Sequence, residues 1–387
     1  MGRILEMKYR MISLNHILHF SKIILSSMLT FSILLFAFEA NNHTSAADSK
    51  QSSLSGQSAT GCLAKVRKDG KWGYMNPHGK VIIPFQYDFA WKFSNGLAMV
   101  RKNRKNGYIN KKGEVIIPFK VEHVSSFHNE LAKVRNNNKY GFMDITGKIV
   151  IPCQFDQAAD FSEELARVYD SSSQRYGFID KTGKLVIPYQ YIYVVADFSE
   201  QGIFKEGFAA EKKGGPGASM MGYIDKMGNE AISFSFFETR GFSEGLAAVM
   251  KSNGEWLYID KTGKTIIQLP RGHSPFVTGG FKEGLARVFT PRGLRYIDKS
   301  GNEITTPPFS YGEDFSEGLA AVEKGLWGYI DKTGKAVIPF QFEKAGSFTN
   351  GLARVQANDG KWGYIDKTGQ VVIPYQFEYA WEFNIAD

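Results

Sequence analysis

The chain has 387 residues, 43% hydrophobic and 22% charged, so it can bury a large core and is not a disordered tail. The formal charge is +8, but basic residues are interleaved with acids and no five-residue basic block occurs, which argues against a nucleic-acid-binding protein. Its 30 Phe, 18 Tyr and 40 Gly are the composition of aromatic strands punctuated by tight turns, that is, of an all-β protein.

Residues 1–47 read as a signal peptide or signal anchor. Basic residues up to Lys22 precede an apolar run from Ile23 to Phe38, and the small residues Ser45-Ala46-Ala47 follow. Cleavage after Ala47 suits the small-x-small rule. The run is short for a bilayer span of roughly 20 residues. An uncleaved anchor through residues 23–38 is the alternative, and it is the only route to a membrane that the sequence offers. Met7 or Met11 as the start gives a more ordinary basic region. Residues 48–61, rich in Ser, Gln and Ala, read as a flexible linker. The two cysteines, Cys62 and Cys153, exclude a disulfide framework. Cys153 stands where sister segments carry Phe or Tyr, so it reads as core. Cys62 lies too far past the apolar run to suit a lipid anchor.

Residues 62–387 are nine copies of one unit. A turn glycine recurs at Gly79, Gly113, Gly147, Gly183, Gly228, Gly263, Gly301, Gly334 and Gly369. Each unit opens with F-x-x-G-L-A-x-V, as in Phe348 to Val355, and its alanine never grows, which predicts close packing on a neighbouring unit. The segment W-G-Y-I-D follows, as in Trp362 to Asp366, with Trp362 and Tyr364 on one strand face. The turn D-K-T-G needs a positive φ at its glycine. The run V-V-I-P is a buried-strand pattern whose proline must end the strand or lie on an edge. Q-F-x-x-A closes the unit. The reading is a β-meander of three strands, or four with a short extra one, that is stabilised by stacking on its neighbours. Middle units depart from the pattern: the glycine after the aromatic becomes Leu257 or Arg295, Glu211 replaces a valine, and insertions lie near Asp197–Gly202, Lys212–Ser219 and residues 267–280.

These segments, most clearly Lys71-Trp72-Gly73-Tyr74, Trp327 to Gly334 and Lys361 to Gly369, resemble the bacterial WG-repeat family, also called KWG repeats. The resemblance covers roughly residues 62–383. It implies β-rich tandem repeats, often in exported or surface proteins, with no generally assigned activity and no catalytic residues to carry over. The expected location is secreted or at the cell surface of a bacterium.

No catalytic or metal constellation stands out. His78 lies in a turn, and His123 and His128 lack partners at ligand spacing. Recurrent aspartates such as Asp366 sit three residues before the turn glycine, where a side chain bonds local N–H groups. No phosphate loop, nucleophile elbow or calcium loop is present, so no cofactor is expected. Trp72, Trp256, Trp327 and Trp362 recur at strand positions and read as core. Trp91 and Trp381 lie in connectors where other units are polar, and they are the candidate binding residues.

Two closures are compatible with nine units of about 35 residues. An open superhelical array is favoured by the repeat number and the uneven spacing. A closed propeller-like ring is the alternative. One feature points towards closure, a unit split between Cys62-Leu63-Ala64 and Ala380-Trp381-Glu382-Phe383. The leading functional expectation is a non-catalytic binding or scaffold protein, its partner an unidentified protein or cell-envelope polymer. The alternatives are a carbohydrate or cell-wall binder using Trp91 and Trp381, and an enzyme with its site in residues 195–280.

Overall fold

The computed structural model describes residues 61–121, 124–192, 201–214, 220–276, 280–305 and 308–385. Residues 1–60, read above as a signal segment and linker, His123, and most of the insertions near Asp197–Gly202 and Lys212–Ser219 lie outside them. Every described element is a strand, and the strands form nine antiparallel sheets. We number these sheets as blades 1 to 9 in chain order. Blade 2 is typical, with strands Phe89–Ser94, Leu97–Lys102, Lys105–Asn110 and Val115–Val121 paired in that order. Blades 3 to 9 span 124–155, 157–191, 204–236, 238–268, 274–309, 311–342 and 344–377. The first strand is often only two residues long, and it completes the four-stranded unit.

The ring is closed, so the favoured open array is not the arrangement found. Blade 1 has its last three strands at the start of the chain, Cys62–Lys68, Lys71–Met75 and Val81–Tyr87. Its first strand comes from the other end: Val66 pairs with Ala380 and Arg67 with Tyr379, while Cys62 pairs with Ile385. Ala64, Val66 and Met75 share one buried cluster with Trp362, Tyr364 and Phe377 of blade 9. The split unit was therefore the informative feature. An open array leaves two apolar blade faces in water, whereas closure buries both.

The same kinds of contact recur at most interfaces. The invariant alanines are buried against the preceding blade, as Ala98 is in the cluster of Trp72 and Tyr74. Turn glycines rest on a fourth-strand isoleucine of the blade before; a Cβ on Gly369 would stand 3.2 Å from Ile338, and one on Gly79 would stand 3.6 Å from Ile373, across the closure. Third-strand tyrosines donate to a carbonyl of the next blade. Tyr364 reaches the Trp381 oxygen at 2.6 Å, Tyr329 that of Gly346 at 2.9 Å and Tyr74 that of Trp91 at 2.7 Å.

The proline does not end its strand. The fourth strand runs from Val371 to Phe377 through an exposed Pro374, on the sheet edge, in a bulge. Trp362 faces Phe377 and Tyr364 faces Ile373, so Gly363 alone opposes residues 374–376. A Cβ there would come within 2.7 Å of the Ile373 oxygen. The glycine and the proline segment are thus one device. Where Leu257 replaces the glycine, the strand Thr265–Gln268 pairs Leu257 with Gln268 and Tyr258 with Ile267, without that bulge. Where Arg295 replaces it, only isolated bridges, Leu294 to Phe309 and Ile297 to Glu303, remain.

Candidate functional site

The D-K-T-G aspartates act on the backbone. Asp366 Oδ1 accepts from the Thr368 N–H at 2.9 Å, the Thr368 hydroxyl at 2.6 Å and the Gln370 N–H at 3.0 Å. Gly369 takes φ 88°. The lysine of the motif reaches the preceding blade: Lys367 pairs with Glu317 at 3.0 Å, Lys332 with Glu283 at 3.1 Å and Lys261 with Glu206 at 3.2 Å. The same carboxylates also accept backbone N–H groups of the next blade, Gly245 bonding to Glu206 at 3.0 Å and Gly318 to Glu283 at 2.9 Å.

A second set of inter-blade locks was not visible in the repeat consensus. It uses the residue between the invariant alanine and the valine, which is Met or Ala in four blades and a cation in five. Arg354 Nε donates to Glu382 at 2.7 Å, and its guanidinium lies 4.8 Å from the Trp362 ring. Arg287 Nε donates to Asp314 at 2.7 Å over Phe276 at 3.9 Å. Lys133 lies 3.5 Å from Asp160. Arg167 grips Glu211 at 2.7 and 3.0 Å while stacking on Tyr176 at 3.6 Å. The irregular Glu211 is thereby explained: it is fully buried and is the counter-ion of a buried arginine. Gly202 makes room for that arginine, because a Cβ there would stand 2.0 Å from Arg167 Cδ. The fifth cation is Lys65. It is 9% exposed, donates to the Ala90 oxygen at 2.9 Å, and lies 5.1 Å from the Trp72 ring and 4.4 Å from that of Trp381. Burial pushes its ammonium down to about 8, against the pull of Glu382.

Two surfaces have binding potential. One is a cleft of about 420 Å³ bounded by first strands and first turns, with Glu163, Lys205, Glu206, Ser243, Lys282 and Asp314 among its lining. Residues of blades 4 to 8 meet there, as happens only where blades converge at the inner edge of a ring. Its acids are matched: Glu163 to Lys226 at 3.1 Å, Glu206 to Lys261 and Asp314 to Arg287. Lys282 is exposed.

The other surface is the closing seam, which holds Trp381; Trp91, the other tryptophan singled out in the sequence, lies one blade on. Trp91 lies in blade 2 and is half-buried, its ring 4.4 Å from Phe89. Trp381 follows the closing strand and is 40% exposed, with Lys65 and Arg354 at its ring. Tyr379 is 39% exposed and lies 6.2 Å from Trp72. Lys65 lies over the rings of Phe89 and Trp381, while Trp91 stands on the far side of Phe89 and packs on the cluster of Met99, Tyr108 and Phe127. Of the four recurrent tryptophans, Trp72, Trp256 and Trp362 are buried and Trp327 is partly so.

Comparison with curated protein sequences finds no match. Among solved structures, one titled as a eukaryotic initiation factor superposes with a TM-score of 0.58 at 8% identity, over 83% of this chain and 97% of that one. BamB from Moraxella catarrhalis aligns at a TM-score of 0.42 and 12% identity, over 70% and 94%. The first likeness speaks to the fold alone. A family profile described as WG containing repeat matches residues 72–105, 107–140, 140–169, 176–215, 221–256, 295–325, 327–362 and 362–384. These eight matches span most of the ring, and the chain belongs to the WG containing repeat family.

Proposed function

We propose that the chain is an exported, non-catalytic binding or scaffold propeller that presents its ring to a partner at the cell surface. The observation that carries this reading is how the repeated polar groups are used. Aspartates cap turns, tyrosine hydroxyls and first-turn glutamates bridge blades, and four of the five cations beside the invariant alanine find acids in the next blade. In the irregular middle, Glu206, Glu211, Glu238 and Glu244 each hold a basic partner. Such a frame leaves surface chemistry to the few exposed side chains that the repeat does not use. The basic N-terminal segment and the apolar run behind it support export. Cell fractionation with N-terminal sequencing tests that half: the mature chain should begin after Ala47 in the medium or on the envelope, and an intact chain in the cytoplasm refutes it.

A second reading is favoured by the seam: a cell-envelope carbohydrate binds at Trp91, Trp381 and Tyr379. Tyr379 and Trp381 are exposed at one blade junction, with the half-buried Trp91 in the next blade, and exposed rings can stack on sugar faces. Co-sedimentation of the exported chain with purified cell-wall sacculi at low salt tests it. Retention that falls in Trp381→Ala supports the reading, and no retention removes it.

A further inference from the structure

The ring obeys a pairing rule at seven of its nine interfaces. The rule relates the residue between the invariant alanine and valine of one blade to the residue just before the buried first-strand phenylalanine of the next. Where the first is Met99, Ala210, Ala248 or Ala321, the second is Ser126, Gly241, Gly280 or Ser347, neutral against neutral. Where the first is Lys133, Arg287 or Arg354, the second is Asp160, Asp314 or Glu382, and each pair is in contact. Arg167 faces Ile203 at that position but takes Glu211 instead. Lys65 alone has no acid. The matching residue in blade 2 is Lys92, which is exposed and makes no ion pair among the described residues.

A buried ammonium without a counter-ion is costly, and the other four cations avoid that cost through a carboxylate from the next blade. The nearby Glu382 does not serve Lys65, because it is held by Arg354 at 2.7 Å. The lowered proton affinity of Lys65 agrees with this absence. Around the gap stand the aromatic rings of the seam, with Trp381 and Tyr379 each more than a third exposed.

We infer that the acid missing from this interface is supplied by the ligand: an acidic saccharide places its carboxylate between Lys65 and Lys92 and its sugar ring against the exposed rings of Trp381 and Tyr379. This rests on the carbohydrate reading and names its ligand class. The anion gains two ammonium partners, one of them already desolvated, where a charge-assisted hydrogen bond is strongest. Neutral sugars find the aromatic surface but leave Lys65 unpaired.

The test uses the exported chain, tryptophan fluorescence and two probes: trigalacturonate and its fully methyl-esterified form, which keeps the rings and removes the charge. Trigalacturonate should give a saturable change, and the ester should bind at least tenfold more weakly. Lys92→Asp installs the missing carboxylate from within the protein. It should weaken trigalacturonate binding at least tenfold while holding or raising the thermal midpoint, so that loss of binding is separated from loss of fold. Lys65→Met should weaken binding similarly. Equal binding of acid and ester would keep the carbohydrate reading and overturn the anion pairing. Failure of both probes to bind would overturn both readings, and unchanged affinity in Lys92→Asp would overturn the inference alone.

Discussion

The third-strand tyrosines allow an experiment with an internal control. Tyr364 and Tyr329 each donate a hydroxyl to a carbonyl of the next blade, at 2.6 and 2.9 Å. Tyr258 occupies the same position in blade 6 and is as deeply buried, yet its hydroxyl has no partner among the described residues. The residue 17 places on, which supplies the carbonyl elsewhere, is Pro275 in the irregular entry to blade 7. Tyr→Phe removes one oxygen and leaves the ring packing intact. At Tyr364 it deletes a hydrogen bond and strands a carbonyl, so the loss should be about 1 kcal/mol, rising towards 3 if no water reaches the oxygen. At Tyr258 it removes a buried hydroxyl that bonds to no described residue, so the change should be about zero or a gain. With an unfolding entropy of about 2.1 cal/mol/K per residue over this ring, 1 kcal/mol corresponds to a shift of about 1.5 °C. Differential scanning calorimetry on Tyr364→Phe, Tyr329→Phe and Tyr258→Phe, with urea midpoints as a second measure, resolves this. A loss at Tyr258 equal to that at Tyr364 would refute the argument that the cross-blade bond, and not the ring alone, keeps tyrosine at this position.

Four further outcomes follow from the geometry. Gly363→Ala drives a Cβ into the Ile373 oxygen and should cost about 2–3 kcal/mol by urea denaturation. Arg167→Met leaves Glu211 buried without its counter-ion and should cost about 3–5 kcal/mol, whereas adding Glu211→Val, the usual residue, should restore most of that; a double-mutant cycle gives both numbers. Lys65 loses its proton near pH 8 when folded and near 10.4 when unfolded, so the unfolded chain holds the extra proton between those values. Stability should therefore rise through that window, and Lys65→Met should flatten the rise when urea midpoints are compared across pH. Glu283→Asn relaxes a φ of 52° but cuts the links to Gly318 and Lys332, and its net effect should be a loss of about 1 kcal/mol by the same assay.

The repeat was legible because its most constrained positions tolerate one residue type. The alanine has no room to grow, and the D-K-T-G glycine must adopt a positive φ. Ring closure was half legible: the split unit announced it, while the number of units argued the other way and carried no physical force against a wider ring. The bulge was hidden because a proline inside I-P-F-Q-F reads as a stop when the strand is considered alone. Its partner, the W-G glycine, lies on another strand. The cation locks were hidden for a related reason. A position that is Lys, Met, Arg or Ala looks free to vary until it is read against the next blade, where acids appear only opposite cations. Trp91 and Trp381 were singled out as breaks in the repeat, and the ring of Trp381 borders Lys65, the one cation at that position without an acid among the described residues.

The first turns of blades 2 to 9 show how local cost and ring assembly are balanced. Their two central residues both take positive φ, as in Asn95-Gly96 and Asn350-Gly351, a conformation that Asn-Gly adopts readily. Blades 4 to 8 place Glu163, Glu206, Glu244, Glu283 and Glu317 there instead, at φ of 43 to 55°, which is unfavourable for a longer side chain. A stability argument confined to one hairpin would select asparagine throughout. Glutamate is longer by one methylene and reaches the next blade, where it accepts a glycine N–H and meets the motif lysine within 3.0 to 3.2 Å. Each glutamate is therefore strained for the benefit of its neighbour. The relay runs one way around the ring and ends at Asn350, whose amide donates to the Phe383 oxygen in the closing segment. There the join is made by backbone pairing of the two chain ends, so the carboxylate link is replaced where a different kind of bond closes the circle.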